Sequence, residues 1–133
     1  MTLFVDTSVW SLALRRDAPP DEPAVAVLKE SLLTGQTVVT TGIVIQELLQ
    51  GFLGPRDRRR IIERFQALPL LQPDPRTHIA AASLRNKCRR GGVQLGTIEA
   101  LIAQLCIQHS LALLTTDKDF LHAARHVPLR LAT

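Results

Sequence analysis

The sequence predicts an α/β sandwich, a central and mainly parallel sheet of five short strands flanked by helices. Three observations carry this. Short apolar runs such as Leu3 to Val5 and Leu111 to Leu114 lack the in–out alternation of half-exposed strands, which marks strands covered on both faces. Stretches of helical periodicity separate those runs in a regular β-α-α alternation, the pattern of layered α/β domains. The chain has 133 residues, 46% hydrophobic and only 4% aromatic, which is enough for one aliphatic core. A single domain over residues 1–133 is therefore expected.

Each element has a local reason. The strand Leu3 to Val5 stops abruptly at Asp6, and Thr7 or Ser8 is placed to cap the helix carrying Val9, Trp10 and Leu12. The stretch Trp10 to Leu14 reads as core, with part of it available to face a second subunit. Asp17 to Pro23, rich in proline and acid, reads as a loop. A helix over about Ala24 to Leu33 puts Val25, Leu28 and Leu32 on one face, and Gly35 closes it. The β-branched run Thr37 to Thr40 is the second strand. Thr41-Gly42 opens a helix bearing Ile45, Glu47, Leu48 and Leu49, which ends near Gly51 and Gly54.

Pro55 suits the first turn of the next helix, whose apolar positions Ile61, Ile62, Phe65 and Leu68 follow helical spacing. Leu70-Leu71 is a brief third strand. A helix over about Pro75 to Arg89 ends at Gly91-Gly92. Thr97 is expected to cap the following helix, with Ile98, Leu101, Ile102 and Leu105 as its buried stripe. Leu111 to Leu114 is the fourth strand, Lys118 to His126 a short helix, and Leu129 to Leu131 the fifth strand.

Charge and composition narrow the function classes. The formal net charge is +4 and the isoelectric point about 9.8, which suits an acidic partner such as nucleic acid. Cys88 and Cys106 lie in helical segments without metal-ligand spacing and read as reduced thiols in or near the core. No basic leader precedes the first strand, and no run of about 18 apolar residues offers a membrane span. A cytoplasmic protein is expected. A phosphate-binding Gly-x-x-x-x-Gly-Lys loop is absent, and no motif sets a histidine beside Ser8 or Thr116 for nucleophilic catalysis. His122 and His126 have the i, i+4 spacing of a zinc pair but lack a third ligand in sequence.

Carboxylates carry the chemistry. In open α/β sheets ligands bind beyond the carboxyl ends of the strands. Asp6 ends the first strand, Asp117 and Asp119 follow the fourth, Glu47 rides the helix after the second, and Glu99 opens the helix leading into the fourth. Singly, each has an ordinary reading as a cap, a turn former or a solvated residue. Together they can converge on one edge of the sheet. Clustered carboxylates repel one another, and a divalent cation relieves that cost. All-oxygen ligands suit hard ions, Mg2+ first and Mn2+ as the alternative, and such ions promote phosphodiester hydrolysis.

At these residues the chain resembles a known family. Val5-Asp6-Thr7-Ser8-Val9-Trp10 resembles the N-terminal signature of PIN-domain nucleases, especially the VapC toxins of bacterial toxin–antitoxin pairs. Ile45 to Gly51 is similar to their second motif, Gly96 to Ala103 to their third, and Leu113 to Phe120 to their fourth. Nearly the whole chain is covered, with the motifs in order. The resemblance implies a PIN-like sandwich and an Mg2+-dependent endoribonuclease leaving a 5′-phosphate and a 3′-hydroxyl. It makes Asp6 a direct metal ligand, Glu47 a ligand directly or through water, and Asp117 the completion of an acidic quartet. Asp119 becomes a supporting or alternate ligand, and Thr7 and Thr115 help by hydrogen bonding. A VapB-type antitoxin, a homodimer, structured RNA such as tRNA as substrate, and DNA contact only through the antitoxin are implied as well.

One residue departs from the pattern. The third motif normally carries aspartate, and this chain has Glu99. Its extra methylene moves the carboxylate outward by roughly a bond length, enough to disturb a metal site held to about 0.5 Å. Glu99 either binds metal in altered geometry, or binds it and misplaces the water, or is an introduced change that blunts a toxic activity. The rival functions are therefore a catalytically impaired PIN module that works by binding its antitoxin, and a DNA or flap nuclease of the wider PIN group. Two basic clusters, Arg56 to Arg60 and Arg85 to Arg90, are candidates for RNA phosphate contact.

Overall fold

The computed structural model describes residues 1–15 and 21–132. The loop expected over Asp17 to Pro23 lies largely outside the described residues. Five strands form one sheet: β1 (Leu3–Val5), β2 (Val38–Thr41), β3 (Leu70–Leu71), β4 (Ala112–Leu114) and β5 (Arg130–Leu131). Their order is β3-β2-β1-β4-β5, and every pairing is parallel. The helices are α1 (Thr7–Leu14), α2 (Pro23–Leu33), α3 (Gly42–Gly51), α4 (Pro55–Gln66), α5 (Pro75–Arg90), α6 (Thr97–Gln108) and α7 (Lys118–Ala123).

The strand order fixes where a ligand can bind. From β1 the chain winds outward through β2 to β3, and it returns to the other side of β1 as β4 and then β5. The winding reverses between β1 and β4, so the two helices that follow them diverge and leave a crevice beyond the strand ends. Val5 pairs with Leu114 there, and Asp6 donates its backbone N–H to the Leu114 carbonyl at 2.9 Å. Asp6 and the residues after Leu114 thus sit side by side at the mouth of the crevice.

The core is aliphatic, as composition demands. Phe4, Val5, Leu113 and Leu114 of the central strands are buried on both faces, and Trp10 of α1 meets Phe65 of α4 edge-on at 4.8 Å. Leu14 is also buried, so Trp10 and Leu14 serve the core, while Leu12 is only half-buried. Cys88 and Cys106 are buried and unpaired.

Several boundaries differ from expectation for local reasons. Asp6, rather than Thr7 or Ser8, holds the cap position of α1. Both hydroxyl residues lie inside the helix, where their side chains serve other carboxylates. Gly96, rather than Thr97, holds the cap position of α6, and the Glu99 side chain accepts the Gly96 N–H at 2.8 Å. β2 extends to Thr41 because Thr41 pairs with Leu71. The buried face of α6 is Ala100, Ile102, Ala103, Leu105 and Cys106, while Ile98 is exposed because the first turn overhangs the crevice. α7 ends at Ala123 rather than at His126. There the His126 ring packs against Gly91, where a Cβ would lie 2.6 Å from the ring.

Candidate metal centre

A cavity of about 560 Å3 opens at the crevice, and its walls include Asp6, Glu47, Glu99, Asp117 and Asp119. All five acids singled out in the sequence are therefore brought to one place. Within them a tighter group forms: one carboxylate oxygen each from Glu99, Asp117 and Asp119 lies within 4.8 Å of the others. Asp6 and Glu47 line the same cavity outside that group.

Hydroxyl groups set the position of each acid. Asp6 is buried, and its Oδ2 accepts hydrogen bonds from Ser8 Oγ at 2.7 Å and Thr115 Oγ1 at 2.9 Å. Thr115 Oγ1 in turn accepts the Asp117 N–H at 3.0 Å, and Ser8 Oγ accepts the Thr116 N–H at 3.1 Å. These links tie the start of α1 to the turn after β4. Thr7 Oγ1 donates to Glu47 Oε1 at 2.8 Å, which anchors α3 to α1 across the cavity. Asp117 Oδ1 accepts the Asp119 N–H at 2.9 Å, which caps α7 and brings Asp119 alongside.

Thr7 and Thr115 have the hydrogen-bonding roles that the resemblance implied. Ser8 was missed, although it lies two residues from Asp6, a separation at which a short hydroxyl side chain can reach a carboxylate.

Glu99 is the member of the group whose charge is least well accommodated. Burial pushes its carboxyl up from 4.5 to about 7; close contact with Asp117 adds to the rise, the Gly96 N–H opposes it, and the charges of Asp117 and Asp119 reinforce it. Its two oxygens have different fates. Oε1 accepts the Gly96 N–H. Oε2 is buried without a hydrogen-bond partner. A buried carboxylate group beside two further carboxylates is satisfied in one of two ways: by a proton shared with Asp117, in keeping with the raised carboxyl, or by a cation that replaces that proton. The donor set is all oxygen, which fits Mg2+ or Mn2+ and disfavours softer metals. Beneath the site, burial pushes the Cys106 thiol well above its ordinary range, and the charge of Asp6 adds to this, so the thiol stays protonated.

The basic clusters lie further out. Arg60 donates to the Leu14 carbonyl at 2.5 Å and thereby closes the end of α1. Arg85 Nε donates to the Leu95 carbonyl at 2.8 Å. One arginine in each cluster thus has a structural task, and the cavity lining itself includes neither cluster.

Comparisons with known proteins agree with this architecture. The family model of the PIN domain matches residues 3–126. A search of curated proteins found no match. Similar solved structures include VapBC2 from Rickettsia felis bound to a DNA fragment from their promoter, with 19% identity, coverage of 99% of this chain and 98% of that one, and a TM-score of 0.76. VapBC-1 from nontypeable Haemophilus influenzae is similar at 20% identity, with 99% and 97% coverage and a TM-score of 0.75. VapC20 from Mycobacterium tuberculosis, a toxin that cleaves the sarcin–ricin loop, is similar at 18% identity, with 96% and 98% coverage and a TM-score of 0.70. At these identities the likeness establishes the fold.

Proposed function

The chain belongs to the PIN domain family, and on that premise we propose that it is a metal-dependent endoribonuclease, the toxin of a VapBC-type toxin–antitoxin pair. The observation that carries this reading is the gathering of one carboxylate oxygen each from Glu99, Asp117 and Asp119 within 4.8 Å of one another, in a cavity shared with Asp6 and Glu47, with Oε2 of Glu99 buried and without a hydrogen-bond donor. Glu99, Asp117, Asp119 and Asp6 would hold the cation, with Glu47 joining directly or through water. A bound Mg2+ or Mn2+ supplies Lewis-acid stabilisation of the phosphodiester and lowers the pKa of a water molecule.

The protein's own part is positioning. Ser8 and Thr115 orient Asp6 from two sides, and Thr7 orients Glu47. Hydrogen-bonded supports of this kind fix ligand geometry and raise metal affinity. A scissile phosphate held over the group leaves a 5′-phosphate and a 3′-hydroxyl when water attacks in line.

Likeness to VapBC complexes, one of them bound to promoter DNA, supports a VapB-type antitoxin as partner and contact with DNA through that antitoxin; a homodimer acting in the cytoplasm belongs to this reading as what the family resemblance implies. Likeness to a toxin that cleaves the sarcin–ricin loop supports structured RNA as substrate. No described helix is long and apolar enough to cross a membrane.

Glu99 itself favours a second reading. One of its oxygens is committed to Gly96, and its carboxyl must lose a proton near neutrality before it binds metal. A module that binds its antitoxin and turns over RNA slowly accords with both facts.

One experiment separates the two. Antitoxin-free protein is incubated with a total tRNA pool, with Mg2+ or with EDTA, beside Asp6→Asn and Glu99→Asp. Mg2+-dependent cutting that Asp6→Asn abolishes supports the nuclease. Cutting only after Glu99→Asp supports the impaired module. Cutting that persists in EDTA overturns the metal centre.

A further inference from the structure

The acid cavity includes no lysine or arginine among its described lining residues. A polyanionic strand lying across five carboxylates therefore needs positive charge immediately outside. The cavity continues on two flanks, and each continuation shares wall residues with it. On one side Thr97 and Ile98 lead toward His78 and Arg85, where Arg85 is already engaged with Leu95. On the other side Thr7 and Glu47 lead into a trough of about 350 Å3 between α1 and α3, which ends at Arg15.

This trough has the chemistry of a backbone site. Thr7, Ser11 and Arg15 follow one another at i, i+4 and i+8, so they form a single stripe along α1. The stripe presents two hydroxyls and then a guanidinium, over a helical rise of about 12 Å. Across from it, Gly51 stands one turn beyond Glu47 on α3. A Cβ built there would meet nothing within 4 Å, so the trough is open along that wall. Arg15 already makes an interaction within the protein, which a bound phosphate would share or replace.

We propose that this trough is a subsite for single-stranded RNA backbone, in which Arg15 and Ser11 bind the phosphodiester next to the one placed over the acids. The proposal rests on the nuclease reading. An acidic segment of a protein partner is the competing occupant. The shared wall at Thr7 and Glu47 favours a strand that must also reach the carboxylates.

The test is equilibrium binding of a labelled, short single-stranded oligoribonucleotide, followed by anisotropy in Mg2+ from about 50 to 200 mM KCl. Asp6→Asn is present throughout to suppress cutting, and cleavage by the unaltered chain is measured in parallel. Arg15→Gln is expected to weaken binding about five- to tenfold at the lowest salt and to reduce the log–log salt slope by about 0.7. Arg15→Lys is expected to retain the slope while losing part of the affinity. Should Arg15→Gln fail to fold, Ser11→Glu carries the test, because it places a negative charge in the same trough and must weaken binding at least about fivefold. If the unaltered chain cuts RNA while Arg15→Gln leaves affinity and slope unchanged, the subsite is wrong and the nuclease reading stands. If Arg15→Gln weakens capture of a polyglutamate peptide and leaves RNA binding intact, the trough belongs to a protein partner and the proposal falls. If the chain neither binds nor cuts RNA, both readings fall.

Discussion

Replacing Glu99 with glutamine should make the metal-free protein more stable at alkaline pH. The folded chain holds the Glu99 proton more tightly than the unfolded chain, since the carboxyl rises from 4.5 to about 7 on folding. Between those values folding takes up a proton, so stability falls as pH rises. The cost is absent below about 4.5 and fully present above about 7. Expressed in full, such a rise corresponds to roughly 3 kcal/mol. Glu99 is only partly buried, so solvent screening reduces this to about 1–2 kcal/mol. Glutamine keeps an oxygen for the Gly96 N–H and carries no charge toward Asp117 and Asp119. Thermal melts in EDTA at pH 5 and pH 8 should show the parent losing stability across that range and Glu99→Gln losing less. At pH 8 the variant should melt about 3–8 °C higher. Mg2+ should reverse the ranking, because it stabilises whichever chain binds it. A variant that melts below the parent in EDTA at pH 8, with an unchanged pH profile, would refute the idea that these carboxylates repel one another.

Three further changes probe other links. Thr7→Val removes the hydrogen bond to Glu47 Oε1; metal affinity by titration, and cleavage with it, should fall about 10- to 100-fold with little change in melting temperature. Gly91→Ala places a Cβ 2.6 Å from the His126 ring and should cost about 1 kcal/mol in urea unfolding; adding His126→Ala should restore most of it, and no restoration would point to backbone strain instead. Thr40 is fully buried and its Oγ1 has no hydrogen-bond partner, so Thr40→Val should stabilise the fold by about 1 kcal/mol in the same assay.

The fold was legible because its signals are local. Leu3 to Val5, Leu70-Leu71 and Leu111 to Leu114 have no polar alternation, and the structure buries the central strands on both faces. Pro55 and Pro75 begin helices as first-turn prolines do, and Pro23, read as the end of a loop, opens one as well. The acids were legible for a different reason: each follows a strand or opens a helix, and the winding reversal between β1 and β4 gathers those positions. What stayed hidden depends on side chains meeting across the sheet edge. Ser8 reaches Thr116, and Arg60 reaches the Leu14 carbonyl 46 residues earlier. No periodicity encodes such pairs. The cap positions were each read one or two residues late, because hydroxyls at Thr7, Ser8 and Thr97 resemble capping residues. In the fold, Thr7 and Ser8 bind acids instead, and a glutamate side chain caps α6.

That last substitution of roles bears on the one departure from the family pattern. A glutamate has one more rotatable bond than an aspartate, and the expected consequence is a ligand that wanders. Here the Gly96 N–H holds Oε1 at 2.8 Å and removes that freedom. A Cβ at position 96 would lie 2.7 Å from Oε1, so any residue but glycine there would shift this side-chain oxygen from its present place. While this bond stands, Glu99 cannot chelate through both oxygens and has only Oε2 to offer. The longer side chain is thus held by one oxygen, and the other would be the one available to a cation shared with Asp117 and Asp119. Aspartate is one methylene shorter, so Glu99→Asp is expected to loosen either the bond to the Gly96 N–H or the contact with Asp117, and the cleavage assay above reads which of the two matters.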